Sequence, residues 1–166
     1  SEAVTVTIAA VNDAPVNVVP AAPGLSTPLN VPLTITSVSV TDVDAGANPV
    51  QVTLTAVLGT LTLNGTAGLS FSFFDANGDG AGDGTDDVTM TSCATLTAVN
   101  AALNGMVFTP TPGESGSGSI SILTNDLGNT GAESPPVPRT SGTAPDVVDI
   151  VVSNANRPPV ITTPAT

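Results

Sequence analysis

Apolar and polar residues alternate along most of the chain, which is the pattern of strands buried on one face. Near the N-terminus, Val4, Val6 and Ile8 alternate with threonines within residues 2–11. The other alternating segments are residues 33–40, 50–58, 60–63, 69–74, 88–90, 106–109, 119–123 and 147–152. Turn-forming residues, such as the Asn64-Gly65 pair, separate them. A series of short strands divided by turns predicts a mainly β chain that folds as a Greek-key β-sandwich, with an extra strand at its N-terminus.

One segment breaks the alternation and predicts a single short helix. In residues 95–103 (TLTAVNAAL), Leu96, Val99 and Leu103 recur at helical spacing, and Gly105 follows as a stop signal. Elsewhere, prolines and glycines indicate irregular connections. Pro20, Pro23, Pro28 and Pro32 exclude a helix and predict an extended linker over residues 17–31. Residues 131–145 are rich in Gly, Ser, Pro and Thr, which predicts an exposed loop.

The strand and linker at the N-terminus recur at the other end of the chain, 144 positions later. The matched pairs are Val4 with Val148, Val6 with Ile150, Ile8 with Val152, Asn12 with Asn156, Pro15 with Pro159 and Val16 with Val160. Such a repeat predicts that the end of one structural unit is present twice. We therefore divide the chain into three parts. Residues 1–16 are the terminal strand and linker of a preceding unit, or a donor strand; residues 17–153 are one β-sandwich; residues 154–166 are a linker to a next unit.

The sequence DANGDGAGDGTDD, residues 75–87, has the spacing of a calcium-binding loop. Oxygen-bearing side chains occupy loop positions 1, 3, 5, 9 and 12, position 6 is glycine, and position 7 offers a main-chain carbonyl. Ligands so spaced let a short backbone wrap one hard cation, and the glycine permits the sharp turn. The candidate calcium ligands are Asp75, Asn77, Asp79, the carbonyl of Ala81, Asp83 and Asp86.

The same loop has a second interpretation, in which it holds no ion. Asn-Gly and Asp-Gly pairs favour tight hairpin turns by themselves. The loop also departs from an EF-hand, since position 12 is Asp86 rather than glutamate and residues 71–74 alternate like a strand. Its spacing resembles that of the calcium loops of dockerins and related extracellular repeats. In both interpretations the segment is a hairpin, and in the first an ion lies at its tip.

The charge of the chain excludes some partners and favours others. Fourteen acidic residues face only Arg139 and Arg157, with no lysine or histidine, which gives a net charge of −12. Nucleic acid is excluded because phosphate binding needs a basic patch. A divalent cation would relieve the repulsion among the carboxylates, so the acidity and a calcium site are consistent with each other. No stretch is long and apolar enough to predict membrane insertion.

Catalysis is not expected. Without histidine there is no His-based triad and no transition-metal site of the usual ligand type. Cys93 is the only cysteine, so it forms no intrachain disulfide, and we predict that its side chain is a small part of the core. A glycosidase is improbable, because the acidic residues fall in Gly-rich turns and the chain has no Trp or Tyr on which a sugar could stack. The prediction is a protein that is not an enzyme and has no catalytic residues.

Three sequence motifs together resemble a known family. They are VNDAPV at residues 11–16, DVDAG at residues 42–46 and TLTAVNAALNGMVFTPTPG at residues 95–113. Their succession is similar to the cadherin-like tandem repeats of large bacterial surface adhesins, over most of residues 1–160. The resemblance implies an Ig-like sandwich in an extracellular protein of the cell surface. It also implies that the short helix bridges two strands and plugs one end of the sandwich.

The resemblance further implies a second calcium site at the junction between units. In cadherins an Asn-Asp pair before Ala-Pro and a later Asp-x-Asp supply ligands. The matching residues here are Asn12, Asp13, Asp42 and Asp44, with Asp126 as a weaker candidate. A plain turn between strands is an equal alternative for Asp42 and Asp44. At the C-terminal linker Arg157 stands in the place of Asp13, which argues against an ion there and suggests pairing with carboxylates of the next unit.

These observations predict a structural, calcium-stabilised module of an extracellular bacterial adhesin stalk or surface filament. Its partners are identical or similar neighbouring units. They are joined covalently as tandem repeats, or by donation of the strand in residues 3–11 to a neighbouring subunit. An alternative of a different class is a calcium-dependent carbohydrate-binding adhesion module, whose partners are cell-surface glycans.

Overall fold

The computed structural model of the protein describes residues 3–4, 11–21, 24–72, 82–128, 139–142 and 144–154. Its strands are β1 (Val16–Val18), β2 (Leu25–Pro28), β3 (Leu33–Ile35), β4 (Ser39–Thr41), β5 (Pro49–Val57), β6 (Gly59–Thr62), β7 (Ser70–Ser72), β8 (Thr89–Thr95), β9 (Met106–Pro110), β10 (Gly116–Asn125) and β11 (Asp146–Ser153). The helix α1 (Leu96–Leu103) lies between β8 and β9. The prediction of a mainly β chain with one short helix is confirmed. The strand predicted within residues 2–11 lies mostly outside the described residues.

The described strands form three sheets. The largest has the order β2-β11-β10-β5-β8-β7, a second has the order β3-β9-β6, and β1 pairs with β4 alone. All pairings are antiparallel except that of β2 with β11. Sheets stacked on a common core are the arrangement expected of a β-sandwich.

The alternation of apolar and polar residues places one face of each larger sheet in a shared hydrophobic core. In β5, Val52 and Leu54 are buried, whereas Thr53 faces outward and its hydroxyl oxygen lies 3.0 Å from that of Thr91 on β8. From the second sheet, Phe108 is fully buried in the same cluster. The period of two along each strand therefore decides which residues form the core.

The helix α1 begins where its capping residue stands. Oγ1 of Thr95 accepts a hydrogen bond from the main-chain N–H of Ala98 at 3.4 Å, which satisfies one of the free N–H groups of the first turn. The side chain of Asn100 binds both the N–H and the carbonyl of Val40, each at 2.8 Å, so the helix is fixed against β4. No helix in the described part of the chain is long and apolar enough to cross a membrane.

Three sequence-based predictions differ from the structure. Residues 17–31, predicted as a linker, contain β1 and β2, and residues 33–40 divide into β3 and β4, which belong to different sheets. Strands of three or four residues are too short for a period of two to identify them. β2 tolerates Pro28 because it is an edge strand. Cys93, predicted in the core, is only half-buried because it has the opposite parity to the buried Met90 in β8.

The chain enters the sandwich at one end and leaves it at the other. Asn12 contacts Asp126, which directly follows the end of β10. β11 runs antiparallel to β10, away from that end, and its last residues lie beside Gly116. Eight residues of β11 in extended conformation span about 25 Å. The points where the chain enters and leaves are therefore separated along the length of the main sheet.

Candidate functional site

Residues 12–18, which we call the strap, lie across one end of the sandwich. Pro15 is buried, and the residues after it form β1, which pairs antiparallel with β4. Val16 and Val18 are 56% and 47% exposed, so Asn17 between them faces the body of the sandwich. Hydrogen bonds, more than apolar burial, therefore hold this part of the strap.

Asn17 contacts several separate segments of the sandwich. Its Nδ2 lies within hydrogen-bond distance of the main-chain oxygen of Ile122 (3.1 Å), Oγ of Ser141 (2.8 Å) and Oδ2 of Asp146 (3.0 Å). Its Oδ1 accepts a hydrogen bond from Oγ1 of the fully buried Thr124 at 2.7 Å. Sequence reasoning missed this residue. The available signal is the Val-Asn-Val triplet, since a strand that turns its valines outward turns the amide inward.

A second anchor joins Asn12 to Asp126, two residues predicted as calcium ligands. Both are buried, and Nδ2 of Asn12 donates to Oδ2 of Asp126 at 2.6 Å. The other carboxylate oxygen, Oδ1, accepts hydrogen bonds from the main-chain N–H groups of Gly128 and Arg139 at 2.8 and 2.6 Å. The side chain of Asp126 thus accepts hydrogen bonds from N–H groups of three different residues, and it anchors the strap.

The other three predicted junction residues come together beside the strap. The main-chain N–H of Asp13 donates to Oδ2 of Asp44 at 2.9 Å. Oδ1 of Asp42 accepts hydrogen bonds from the N–H groups of Asp44 and Ala45, both at 3.1 Å. This is the side-chain-capped turn that was the alternative prediction for the segment. Oδ2 of Asp42 is buried without a hydrogen-bond partner among the described residues.

Negative charge is concentrated at this position, which we call the acidic corner (Asp13, Asp42 and Asp44). Burial raises the pKa of Asp42 above its ordinary value, and the neighbouring Asp44 raises that pKa further. An open cleft of about 410 Å³ adjoins the corner. It is lined by Asp13, Ala14, Val16, Thr41, Asp42 and Val43. A positive group placed here would favour the ionised form of Asp42 and reduce the repulsion.

The predicted junction ligands form two hydrogen-bonded groups rather than one. Asn12 binds Asp126, and Asp13 binds the pair of Asp42 and Asp44. Within the described ranges, no three Asp, Glu, His or Cys side chains are grouped closely enough to hold a metal ion. Calcium takes six to eight oxygen ligands, so an ion at the acidic corner would need main-chain oxygens or waters as well.

The predicted calcium loop lies only partly within the described residues. Asp75, Asn77, Asp79 and Ala81 are outside them. The flanking strands β7 and β8 pair antiparallel, so the predicted hairpin is confirmed. Oδ1 of Asp83 accepts a hydrogen bond from the N–H of Thr85 at 3.1 Å. Asp86, with φ 55°, donates its N–H to the hydroxyl of Thr62 at 3.0 Å and accepts a hydrogen bond from that hydroxyl at 3.2 Å.

Asp87, the next residue, is fully buried and was not among the predicted ligands. Its Oδ2 accepts a hydrogen bond from the N–H of Gly84 at 2.7 Å. Its main chain exchanges two hydrogen bonds with Leu61 of β6, at 2.8 and 3.0 Å. The acidic loop is thereby attached to the second sheet. No periodic pattern singles out Asp87, because it precedes β8 and follows Asp86, whose φ of 55° is not that of an extended strand.

The strap and the two acidic segments are the features from which a function can be argued. The strap fixes the incoming chain to the sandwich, and the described acidic residues concentrate charge beside the strap and just before β8, where Asp83, Asp86 and Asp87 lie. Searches of protein-family models, curated proteins and solved structures found no match for the chain.

Proposed function

We propose that the protein is a structural module of an extracellular bacterial surface protein, either an adhesin stalk or a filament, in which calcium stiffens each unit and its junction. The module is a Greek-key, cadherin-like sandwich joined end to end with identical or similar units. The observation that carries the proposal is the docked strap. Residues 12–18 fix the chain to the sandwich before it reaches β2, the first strand of the main sheet in sequence order.

A docked strap makes the connection between two units rigid. Asn12, Asp13 and Asn17 each form hydrogen bonds with the body of the sandwich, and β1 adds main-chain pairing with β4. A free linker of the same length would behave as a flexible coil. The described part of β11 ends beside the start of β10, at the opposite end of the main sheet from the strap, so units joined end to end would follow one another along that sheet.

Calcium is proposed at the acidic loop, residues 75–87, and at the acidic corner. The net charge of −12 opposes compaction, and the buried Oδ2 of Asp42 has no hydrogen-bond partner among the described residues. Calcium sites in extracellular modules have dissociation constants up to the millimolar range, and extracellular calcium would occupy even such weak sites. An ion that binds only the folded chain adds about 2.7 kcal/mol of stability at a hundredfold excess over its Kd.

The main sheet favours joining through the chain over strand donation. Residues 4–8 repeat residues 148–152 of β11, so a donated strand of this sequence would take the position of β11. That position is filled, since β11 pairs with β10 on one side and with β2 on the other. Covalent tandem units require no such exchange.

Thermal unfolding of the full chain in millimolar calcium and in EDTA tests the proposal. We expect the Tm to be about 5–10 °C higher in calcium, because each kcal/mol of stabilisation raises the Tm by about 2–4 °C in a domain of this size. The Asp75→Ala, Asp79→Ala variant should lose most of this difference, since it removes two of the proposed ligands.

A matched variant controls for net charge. Glu114→Ala, Asp149→Ala removes the same charge from two exposed positions and should keep the calcium-dependent difference in Tm. Equal Tm values for the wild-type chain in the two buffers would refute the calcium proposal. A loss of the difference in both double variants would assign it to overall charge instead of ligands.

A further inference from the structure

The surface that holds the strap recognises features that the chain carries twice. Asn12 contributes a side-chain hydrogen bond to Asp126, Pro15 is buried, and Val16 begins the main-chain pairing with β4. The same three residue types recur at the C-terminal end, as Asn156, Pro159 and Val160. Residues 156–160 therefore repeat the three residues by which this surface holds the first half of the strap.

The two copies of the motif differ at two positions only. The N-terminal copy reads NDAPV and the C-terminal copy reads NRPPV, so Arg157 replaces Asp13 and Pro158 replaces Ala14. Asp13 contacts Asp44 through its main-chain N–H, a group that arginine also has. Ala14 already precedes a proline, which restricts it to the extended region that proline itself prefers.

We infer that residues 156–160 form the strap of the next tandem unit, a second copy of this fold in which they take the place of residues 12–16, and that Arg157 there serves as the positive charge for the acidic corner. The inference rests on the proposed end-to-end function. At such a junction the guanidinium would lie beside Asp42 and Asp44 and could bind a carboxylate through two N–H groups. A junction of this kind is stable without a divalent cation, whereas the junction formed with Asp13 gains from one.

The second half of the strap limits how well the C-terminal copy of the motif can replace the N-terminal copy. Asn17 corresponds to Ile161 in the C-terminal copy, and isoleucine cannot replace the hydrogen bonds that Asn17 makes with Ser141 and Thr124. Recognition of the C-terminal copy is therefore expected to depend on residues 156–160, with the arginine compensating for part of this loss.

The exchange can be made within the full chain by two substitutions. Asp13→Arg, Ala14→Pro gives the N-terminal strap the sequence of the C-terminal copy while Asn17 stays in place. In EDTA we expect the Tm of this variant, and of Asp13→Arg alone, to rise by roughly 2–4 °C over the wild-type chain, as a favourable ion pair in a domain of this size would give. Asp13→Asn, which removes the negative charge without adding a positive one, should give less than half of that rise.

The Asp42→Asn, Asp44→Asn background identifies the partner of the arginine. Asparagine keeps an oxygen that can accept the N–H groups of Asp44 and Ala45 at position 42, so the turn is preserved. In this background Asp13→Arg should no longer raise the Tm. A rise that persists there, or a Tm of the double variant below that of the wild-type chain in EDTA, would overturn the inference. Since these measurements are made without calcium, they remain decisive even if calcium has no effect on the wild-type chain.

Discussion

The side chain of Asn17 joins three parts of the molecule that are far apart in sequence. Its partners lie between 105 and 129 positions away, on β10, at Ser141 and at the start of β11. Periodicity and spacing report on neighbours in sequence, so they could not reveal this site. The family resemblance did single out Asn12 and Asp126, as ligands of an ion, and that role stays a prediction; in the structure the amide of Asn12 donates to the carboxylate of Asp126.

We expect Asn17→Ala to reduce the free energy of unfolding by about 2–3 kcal/mol, because it leaves the buried hydroxyl of Thr124 without its acceptor. Urea unfolding followed by circular dichroism measures the change. The control is Val18→Ala, an exposed position in the same strand, where the expected loss is below about 1 kcal/mol. Similar losses in the two variants would show that the amide is not the anchor of the strap.

The acidic corner predicts a pH dependence that can be isolated by one substitution. Burial and Asp44 raise the pKa of Asp42 in the folded chain, so in EDTA the folded state binds more protons at this group than the unfolded state. Its contribution to stability is therefore fully present below the unfolded pKa and is lost as the pH rises through the folded pKa.

Asp42→Asn removes this titration and keeps the turn. We expect the stability of the wild-type chain in EDTA to fall more steeply than that of the variant as the pH rises from about 4, the ordinary pKa of aspartate. Urea unfolding at a series of pH values, with both proteins in EDTA, measures the two slopes. The other carboxylates are common to both proteins, so parallel slopes would mean that folding does not raise the pKa of Asp42.

At the scale of elements, helices and strands were predicted well where they are long or carry local signals such as caps and stop residues. The helix was predicted because its apolar spacing and stop signal lie within residues 95–105, and its capping residue Thr95 is adjacent. The long strands β5 and β11 show several periods of alternation and were predicted within one residue of their observed bounds, whereas the prediction for β10 covered only residues 119–123 of Gly116–Asn125. β1 and β2, with three and four residues, are defined by their partners, which no local pattern reveals.

The close approach of β6 and β9 depends on a residue without a side chain. A Cβ placed on Gly59 would lie 2.5 Å from the main-chain oxygen of Thr109 and 2.6 Å from Cζ of Phe108. We expect Gly59→Ala to lower the free energy of unfolding by about 2–3 kcal/mol, since a fully buried ring and a paired strand would both have to shift. Thr60→Ala, one residue along the same strand, should cost less than half as much in the same urea experiment. A Gly59→Ala variant as stable as the wild type would mean that β6 and β9 separate easily.

At the scale of the whole molecule, composition and periodicity determined the class of fold but not its arrangement. The sequence predicts the strands that supply the core, and they do so in the structure. It does not predict that the last strand, β11, lies between β10 and the parallel β2, because strand order depends on contacts between distant segments. The role of the acidic loop, most of whose candidate ligands fall outside the described residues, stays a prediction.

The position of β11 has a mechanical consequence. Tension applied to the two ends of a unit draws this strand along its own axis, past β10 on one side and β2 on the other. The ladders of hydrogen bonds on both sides then resist in shear, all at once, instead of opening one after another as in a zipper. In a chain built from such units, each unit would unfold only at high force and in one cooperative step.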